Sequence, residues 1–347
     1  MANPDILLRT TRESGKTYSF RNNGNPRIVA EYWFQTALEG KTLFLVFYTQ
    51  ACRYSKCSAC NLPSKMSQYH IGFSDIMRQV DSVFDHILSP EDKLGLKKII
   101  VSNNGSVLDE ETFSTTALLY LVAKINLECP NVRVVSLETR PEYVDMEELE
   151  VLNRALCEGT TPSALEIVIG FEAFDDRIRN EFFRKGLKLS TVEHIASMIG
   201  EINQRFEAKR PNNYQKMRLK TYFMLKPVSG ISDTEAIADI HRGIDFLHTL
   251  ATKYDIDINM HLNPTYVAKG TLLEEEFYKG LFTPPTLDMV ANAVRGGRGK
   301  RVSIFVGLND EGLAVENGSF YHGTDDEKEI LLRLEQFNAT QDYTLVQ

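Results

Sequence analysis

Three of the chain's five cysteines, Cys52, Cys57 and Cys60, fall within nine positions with the spacing C-x4-C-x2-C. Clustered cysteines in a reducing compartment point to metal binding rather than to disulfides. Three thiolates can hold three irons of a [4Fe–4S] cluster and leave the fourth iron open to a small ligand. Zinc is the competing reading. It wants a fourth ligand, and the nearest histidine, His70, lies beyond a proline-containing loop. Cys129 and Cys157 stand apart and read as core or surface thiols.

The triplet must be held at a fixed place, and its flanks say where. It follows directly on residues 43–48, a continuous apolar run of strand length. Further strand candidates are 98–102, 133–138, 165–170, 217–225, 257–262 and 302–308. Continuous rather than alternating apolarity suits strands buried on both faces of a parallel sheet. Amphipathic helical spacing recurs at 74–87, 112–127, 146–156, 175–183, 192–206 and 233–251, with Ser74 as the expected cap of the first. This alternation predicts an α/β fold. The form expected is a partial or nearly complete parallel (β/α) barrel of six to seven units, with its chemistry in the loops after the strands' C-terminal ends. The expected organisation is an N-terminal extension over 1–40, a core barrel over 41–285 and a C-terminal extension over 286–347 that closes the barrel. Residues 325–334 read as helical and the last ten as loose.

The bulk numbers narrow the class. With 43% hydrophobic and 25% charged residues, the 347-residue chain has the profile of a soluble globular protein. Acidic residues outnumber basic ones 47 to 39, which argues against a general polyanion binder while leaving room for a local basic patch. No apolar run approaches the roughly 20 residues that span a bilayer, and residues 1–12 lack the pattern of a signal peptide. A cytoplasmic protein without membrane attachment is expected.

With these motifs in place, the chain resembles the radical S-adenosylmethionine (SAM) superfamily. The branch is that of the elongator catalytic subunit and the methylthiotransferases, and the nearest look is to the radical SAM subunit of archaeosine synthase. The resemblance covers roughly residues 43–285. It implies that the open iron chelates the amino and carboxylate groups of SAM, and that reductive cleavage of the sulfonium yields a 5′-deoxyadenosyl radical. It also implies an external electron donor such as flavodoxin or ferredoxin. The segment Ser102-Asn103-Asn104-Gly105-Ser106 matches the loop that holds the methionine amino group, which makes Asn104, Gly105 and Ser106 candidates; an ordinary Asn-Gly turn is the alternative. Glu138-Thr139-Arg140-Pro141 is similar to the elongator-type motif, with Glu138 as ribose ligand or else as partner of Arg140 in a loop ion pair. Gly170-Phe171-Glu172 matches the Gly-x-Glu/Gln segment and makes Glu172 a candidate. Arg184 is the match for the cation on the SAM carboxylate, and Lys185 takes its place if the register differs by one; a solvated face is the alternative. Asn263 falls where the adenine pocket is built. His261 reads as structural as readily as catalytic, and residues 222–225 as plain core strand. Asp310 and Glu311 are candidates for a cationic substrate group, or a solvent loop.

Two features depart from the family pattern. Ala59 stands where the residue before the third cysteine is usually aromatic, and the first spacing is four residues rather than three. No cysteine group for an auxiliary cluster follows the barrel. Two function classes are therefore expected. One is a radical SAM enzyme acting on a small molecule or metabolite. The other is a tRNA-modifying enzyme of the archaeosine type, cleaving a C–N bond and served by a tRNA-binding partner subunit.

Overall fold

A computed structural model describes residues 3–209, 214–310 and 312–347. Among these, one eight-stranded sheet runs in chain order: β1 (Glu31–Ala37), β2 (Gly40–Val46), β3 (Lys98–Ser102), β4 (Val134–Thr139), β5 (Ala164–Glu172), β6 (Arg218–Leu225), β7 (Asp257–Pro264) and β8 (Ser303–Val306). β1 and β2 form an antiparallel hairpin, and every later pairing is parallel. The seven parallel strands are those expected from the apolar runs. The helices are α1 (Pro4–Glu13), α2 (Phe73–Ser82), α3 (Pro90–Gly95), α4 (Thr115–Glu128), α5 (Met146–Leu156), α6 (Leu189–Lys209), α7 (Asp233–Tyr254), α8 (Leu272–Tyr278), α9 (Leu287–Arg295) and α10 (Asp325–Thr340). Leu121, Leu152, Ile199 and Leu247 from the crossover helices belong to one continuous core with the sheet.

Some local expectations need correction. Gly72, not Ser74, stands at the N-cap of α2. Residues 31–37 lie inside the stretch read as an extension, yet they form a strand of the same sheet. The signal was present: an aromatic run, Tyr32-Trp33-Phe34, is followed by a turn closing on Gly40, whose φ of +112° suits the residue without a side chain. The last ten residues are not loose. Val346 is 2% exposed, and the Arg295 side chain donates to its carbonyl.

The sheet does not close on itself by backbone pairing. α10 packs against both β8 and β1 and covers the seam. Two of its carboxamides complete the free edge of β8. Asn338 accepts from Val306 N at 2.7 Å and donates to Val306 O at 2.8 Å. Gln341, just past the helix, does the same for Ile304 at 2.8 and 2.7 Å. A sheet edge with its backbone groups satisfied in this way is blunted against further pairing.

At the strands' N-terminal ends the barrel has a charged floor. The Lys98 ammonium sits 2.8 Å from Glu166 and 3.1 Å from Glu39, with Ser136 donating to Glu166 at 2.6 Å. Glu39, from the β1–β2 turn, also meets Arg218 at 3.3 Å. Burial alone would raise the Glu166 carboxyl, but Lys98 and then Lys220 hold it below the usual range.

Candidate functional site

The cysteine loop leaves the C-terminal end of β2 and is tied down from several directions. Arg53 grips the Asp109 carboxylate with two bonds of 2.7 Å, fixing it to the loop after β3. Ser58 donates through its hydroxyl to Phe182 O and through its amide to Phe183 O, both at 2.9 Å. Tyr54 donates to Arg184 O at 2.8 Å, and the Arg140 guanidinium stacks over the Tyr54 ring at 3.7 Å. Gly105 lies so close beneath Cys52 that a Cβ there would stand 3.2 Å from the Cys52 Cα.

The three thiols share one neighbourhood. Burial pushes the Cys60 thiol up to about 12, and the charges of Cys57 and Cys52 push the same way, while Lys16 opposes them. Burial also raises Cys57, opposed first by Lys185 and then by Arg140. Three cations from separate parts of the chain, Lys16, Lys185 and Arg140, thus act against burial and favour the thiolate form. Among the described residues, no three His, Cys, Asp or Glu side chains gather round one point as they would for a single metal ion. A [4Fe–4S] cubane asks for something different, because each thiolate binds its own iron. The chemistry of the donor set fits such a group.

Beside Cys60 opens a cavity of about 680 Å³ within the barrel, at the C-terminal ends of the strands. It collects Asn104, Glu138, Glu172 and Asn263 from four different strand ends. Asn104 and Glu172 hold φ of +53° and +71°, backbone values that side chains rarely adopt and that mark a positioned residue. The Asn104 Nδ2, Asn61 Oδ1 and His261 Nδ1 atoms are buried and make no hydrogen bond with the described protein. Buried polar atoms of this kind on one cavity wall are the groups a polar ligand would satisfy.

Other candidates fall elsewhere. Arg184 is exposed at φ +61° and lines a separate surface hollow with Tyr54 and Lys56. The adjacent Lys185 turns inward instead, 7% exposed, and pairs with Glu172 at 2.7 Å. Gly170 makes room for that pair, since a Cβ on it would lie 2.4 Å from both the Glu172 Oε1 and the Lys185 Nζ. Arg179 fixes the connecting loop: its buried guanidinium donates to the carbonyls of Ala173, Phe174 and Leu187. The Ser106 hydroxyl faces the neighbouring loop after β4, accepting from Arg140 N at 2.7 Å, and so ties the loops after β3 and β4 together. Arg140 holds Glu142 in an ion pair. Asp310 receives the Gly312 amide at 3.0 Å in a turn and is not part of the cavity wall, and Glu311 lies outside the described residues.

The reading of 222–225 as plain core is half wrong. Phe223 and Leu225 are fully buried, but Tyr222 and Met224 face the cavity, and the Tyr222 hydroxyl donates to Glu138. β1 adds Trp33, Phe34, Gln35 and Thr36 to the wall, with Trp33 stacked on Phe44 at 4.2 Å. Lys220 stands behind the wall, 5.2 Å from the Phe305 ring. Desolvation lowers its ammonium to about 8.

No family model matches the chain. It is 28% identical over 261 residues to archaeosine synthase subunit beta of Methanosarcina acetivorans, a match covering 74% of this chain and 67% of that one. The chain is thus similar in sequence to archaeosine synthase subunit beta over most of its length. That bears out the resemblance carried by the cysteine triplet and the strand-end motifs. An uncharacterised protein of Methanocaldococcus jannaschii is 25% identical over 311 residues, covering 88% of this chain and 78% of its own length. Among solved structures, an N-terminally deleted Elp3 of Methanocaldococcus infernus is 13% identical with a TM-score of 0.48, over 76% of this chain and 58% of that one. No helix among the described residues is long and apolar enough to cross a membrane.

Proposed function

We propose that the chain is a radical SAM enzyme, with Cys52, Cys57 and Cys60 as ligands of a [4Fe–4S] cluster and the adjoining cavity as the SAM and substrate site. The observation that carries this is the convergence of Cys60, Asn104, Glu138, Glu172 and Asn263 on one cavity at the strands' C-terminal ends. When bound, the cluster and SAM supply one-electron cleavage of a sulfonium C–S bond and hence a 5′-deoxyadenosyl radical.

The protein's part is to bind, orient and exclude water. Asn104 offers an unbonded amide N–H beside the cysteines. Lys185, rather than Arg184, supplies the inward cation for a carboxylate, held ready by Glu172. Glu138, a two-oxygen acceptor steadied by Tyr222, suits the hydroxyls of a ribose. Asn263, at the end of β7, completes the wall opposite. The aromatic face from β1 and β8 keeps the space dry, which protects a reactive radical from side reactions.

Two substrate classes are each supported by a particular observation. The kinship to archaeosine synthase subunit beta supports a tRNA-modifying reaction. The net charge of -8 then calls for a more basic partner subunit to bring the RNA. The small volume of the cavity, about 680 Å³, and the same acidity support a free metabolite.

The test is anaerobic reconstitution, reduction with dithionite and addition of SAM. Formation of 5′-deoxyadenosine, abolished in Cys57→Ala, is expected. Tight zinc uptake without an iron–sulfur absorbance would overturn the assignment. Salt-sensitive tRNA binding, by the chain alone or with a partner, separates the two substrate classes.

A further inference from the structure

We propose that the segment joining α1 to the sheet forms a second wall of the cysteine site, in which the Lys16 ammonium and the Tyr18 hydroxyl set the reduction potential of the cluster. This rests on the cluster assignment above and extends it to residues outside the motifs.

Lys16 is 1% exposed and among the largest fully buried side chains. Its Nζ donates to Ser55 O at 2.9 Å, within the loop between Cys52 and Cys57, and lies 5.7 Å from the Tyr18 ring. Among the described residues it makes no salt bridge with a carboxylate. A buried ammonium without an anion costs several kcal/mol in general terms. The groups beside it that can carry negative charge are the thiols, and Lys16 is the foremost charge acting on Cys60.

Tyr18 tells the same story. The residue is 9% exposed, and its hydroxyl is buried beside Thr11 without a well-formed hydrogen bond. A phenol keeps its proton far above neutral pH, and burial only strengthens this, so the hydroxyl remains an O–H donor without a partner in the described protein. The segment is fixed where it stands. Thr17 N donates to Gly270 O at 3.0 Å, and a Cβ on Gly270, which holds φ +76°, would lie 3.0 Å from Tyr18 N and Cβ. Arg21 N donates to Met66 O at 2.9 Å on the far side of the cysteine loop.

The physics is simple. Reduction transfers one electron from an external donor to the cluster, adding one negative charge with no bond made or broken. A buried cation and an O–H donor favour the more negative form and raise the potential. Removing either makes the cluster harder to reduce.

The experiment is a redox titration followed by electron paramagnetic resonance, on full-length protein reconstituted anaerobically and measured without SAM. Tyr18→Phe keeps the ring and removes only the hydroxyl, Lys16→Met removes the charge, and Lys16→Arg restores it. Iron and sulfide content and the melting temperature are measured alongside. Both Tyr18→Phe and Lys16→Met are expected to load the cluster and titrate at a more negative midpoint, with Lys16→Arg returning toward wild type. Fully loaded Tyr18→Phe with an unmoved midpoint overturns the role of the hydroxyl; the same result for Lys16→Met overturns that of the cation. If Lys16→Met does not fold, Lys16→Arg decides for the cation: a wild-type midpoint is what a charge role requires, and a shifted one defeats it. A wild-type chain that takes up no iron–sulfur chromophore defeats the cluster assignment itself, and this inference with it.

Discussion

At the scale of single residues, the site depends on a few buried charges and the bonds that hold them. Arg53 and Asp109 are the clearest case, because the carboxylate is 3% exposed and the fork-to-fork geometry leaves it well satisfied. Arg53→Met strands that carboxylate and releases the cysteine loop from the loop after β3. The expected cost is about 3 kcal/mol, read as a lower melting temperature together with faster iron loss to a chelator. Unchanged iron retention would mean that the loop is held by its other bonds. The exchange of Arg184 for Lys185 has the same local character. Two adjacent cations cannot be told apart by spacing alone, and in the structure it is Lys185 that pairs inward with Glu172 while Arg184, at a positive φ, faces out. The cysteines were legible because rare residues at tight spacing carry their own meaning. Tyr222 was not, because an unbroken apolar run conceals which alternate positions face the barrel interior.

The elements set these residues out. Each parallel strand delivers its chemistry at its C-terminal end, which is why loops after apolar runs could be read as candidates before any coordinates. What lay hidden was long-range: the packing of α1 and its following segment against the cysteine loop, and the membership of β1 in the cavity wall. Neither leaves a periodic trace, since each depends on contacts far along the chain, such as Thr17 with Gly270. The β5 end gives a direct test. In Gly170→Ala the new methyl would stand 2.4 Å from the Glu172 Oε1 and the Lys185 Nζ, the ends of two flexible side chains, and so forces the pair out of its present geometry rather than overpacking the core. The variant is expected to keep its helical and sheet content, yet bind SAM at least tenfold more weakly by calorimetry. Wild-type affinity would remove Lys185 and Glu172 from the binding site.

Across the whole molecule, the charged floor ties stability to pH. Lys220 has its ammonium lowered from 10.5 to about 8, mainly by burial. Between those values the unfolded chain binds the extra proton, so folding stability rises with pH through that window and carries its full penalty below it. The penalty is about 3 kcal/mol. Lys220→Met is therefore expected to gain up to that amount over wild type at pH 7 in denaturant titrations, with the gain gone by pH 10.5. A difference independent of pH would place the effect in packing rather than in charge.

The amide pairs on the outer side of β8 carry a consequence for how the protein ages. Asn338 and Gln341 each give and take one hydrogen bond with a single strand residue, using the separate donor and acceptor of a primary amide. Deamidation converts each into a carboxylate, an acceptor alone at neutral pH. The carbonyls of Val306 and Ile304 would then face an anion instead of a donor, and α10 would be repelled from the strand it covers. Slow chemical damage at two side chains would thus open the barrel along the seam between β8 and β1.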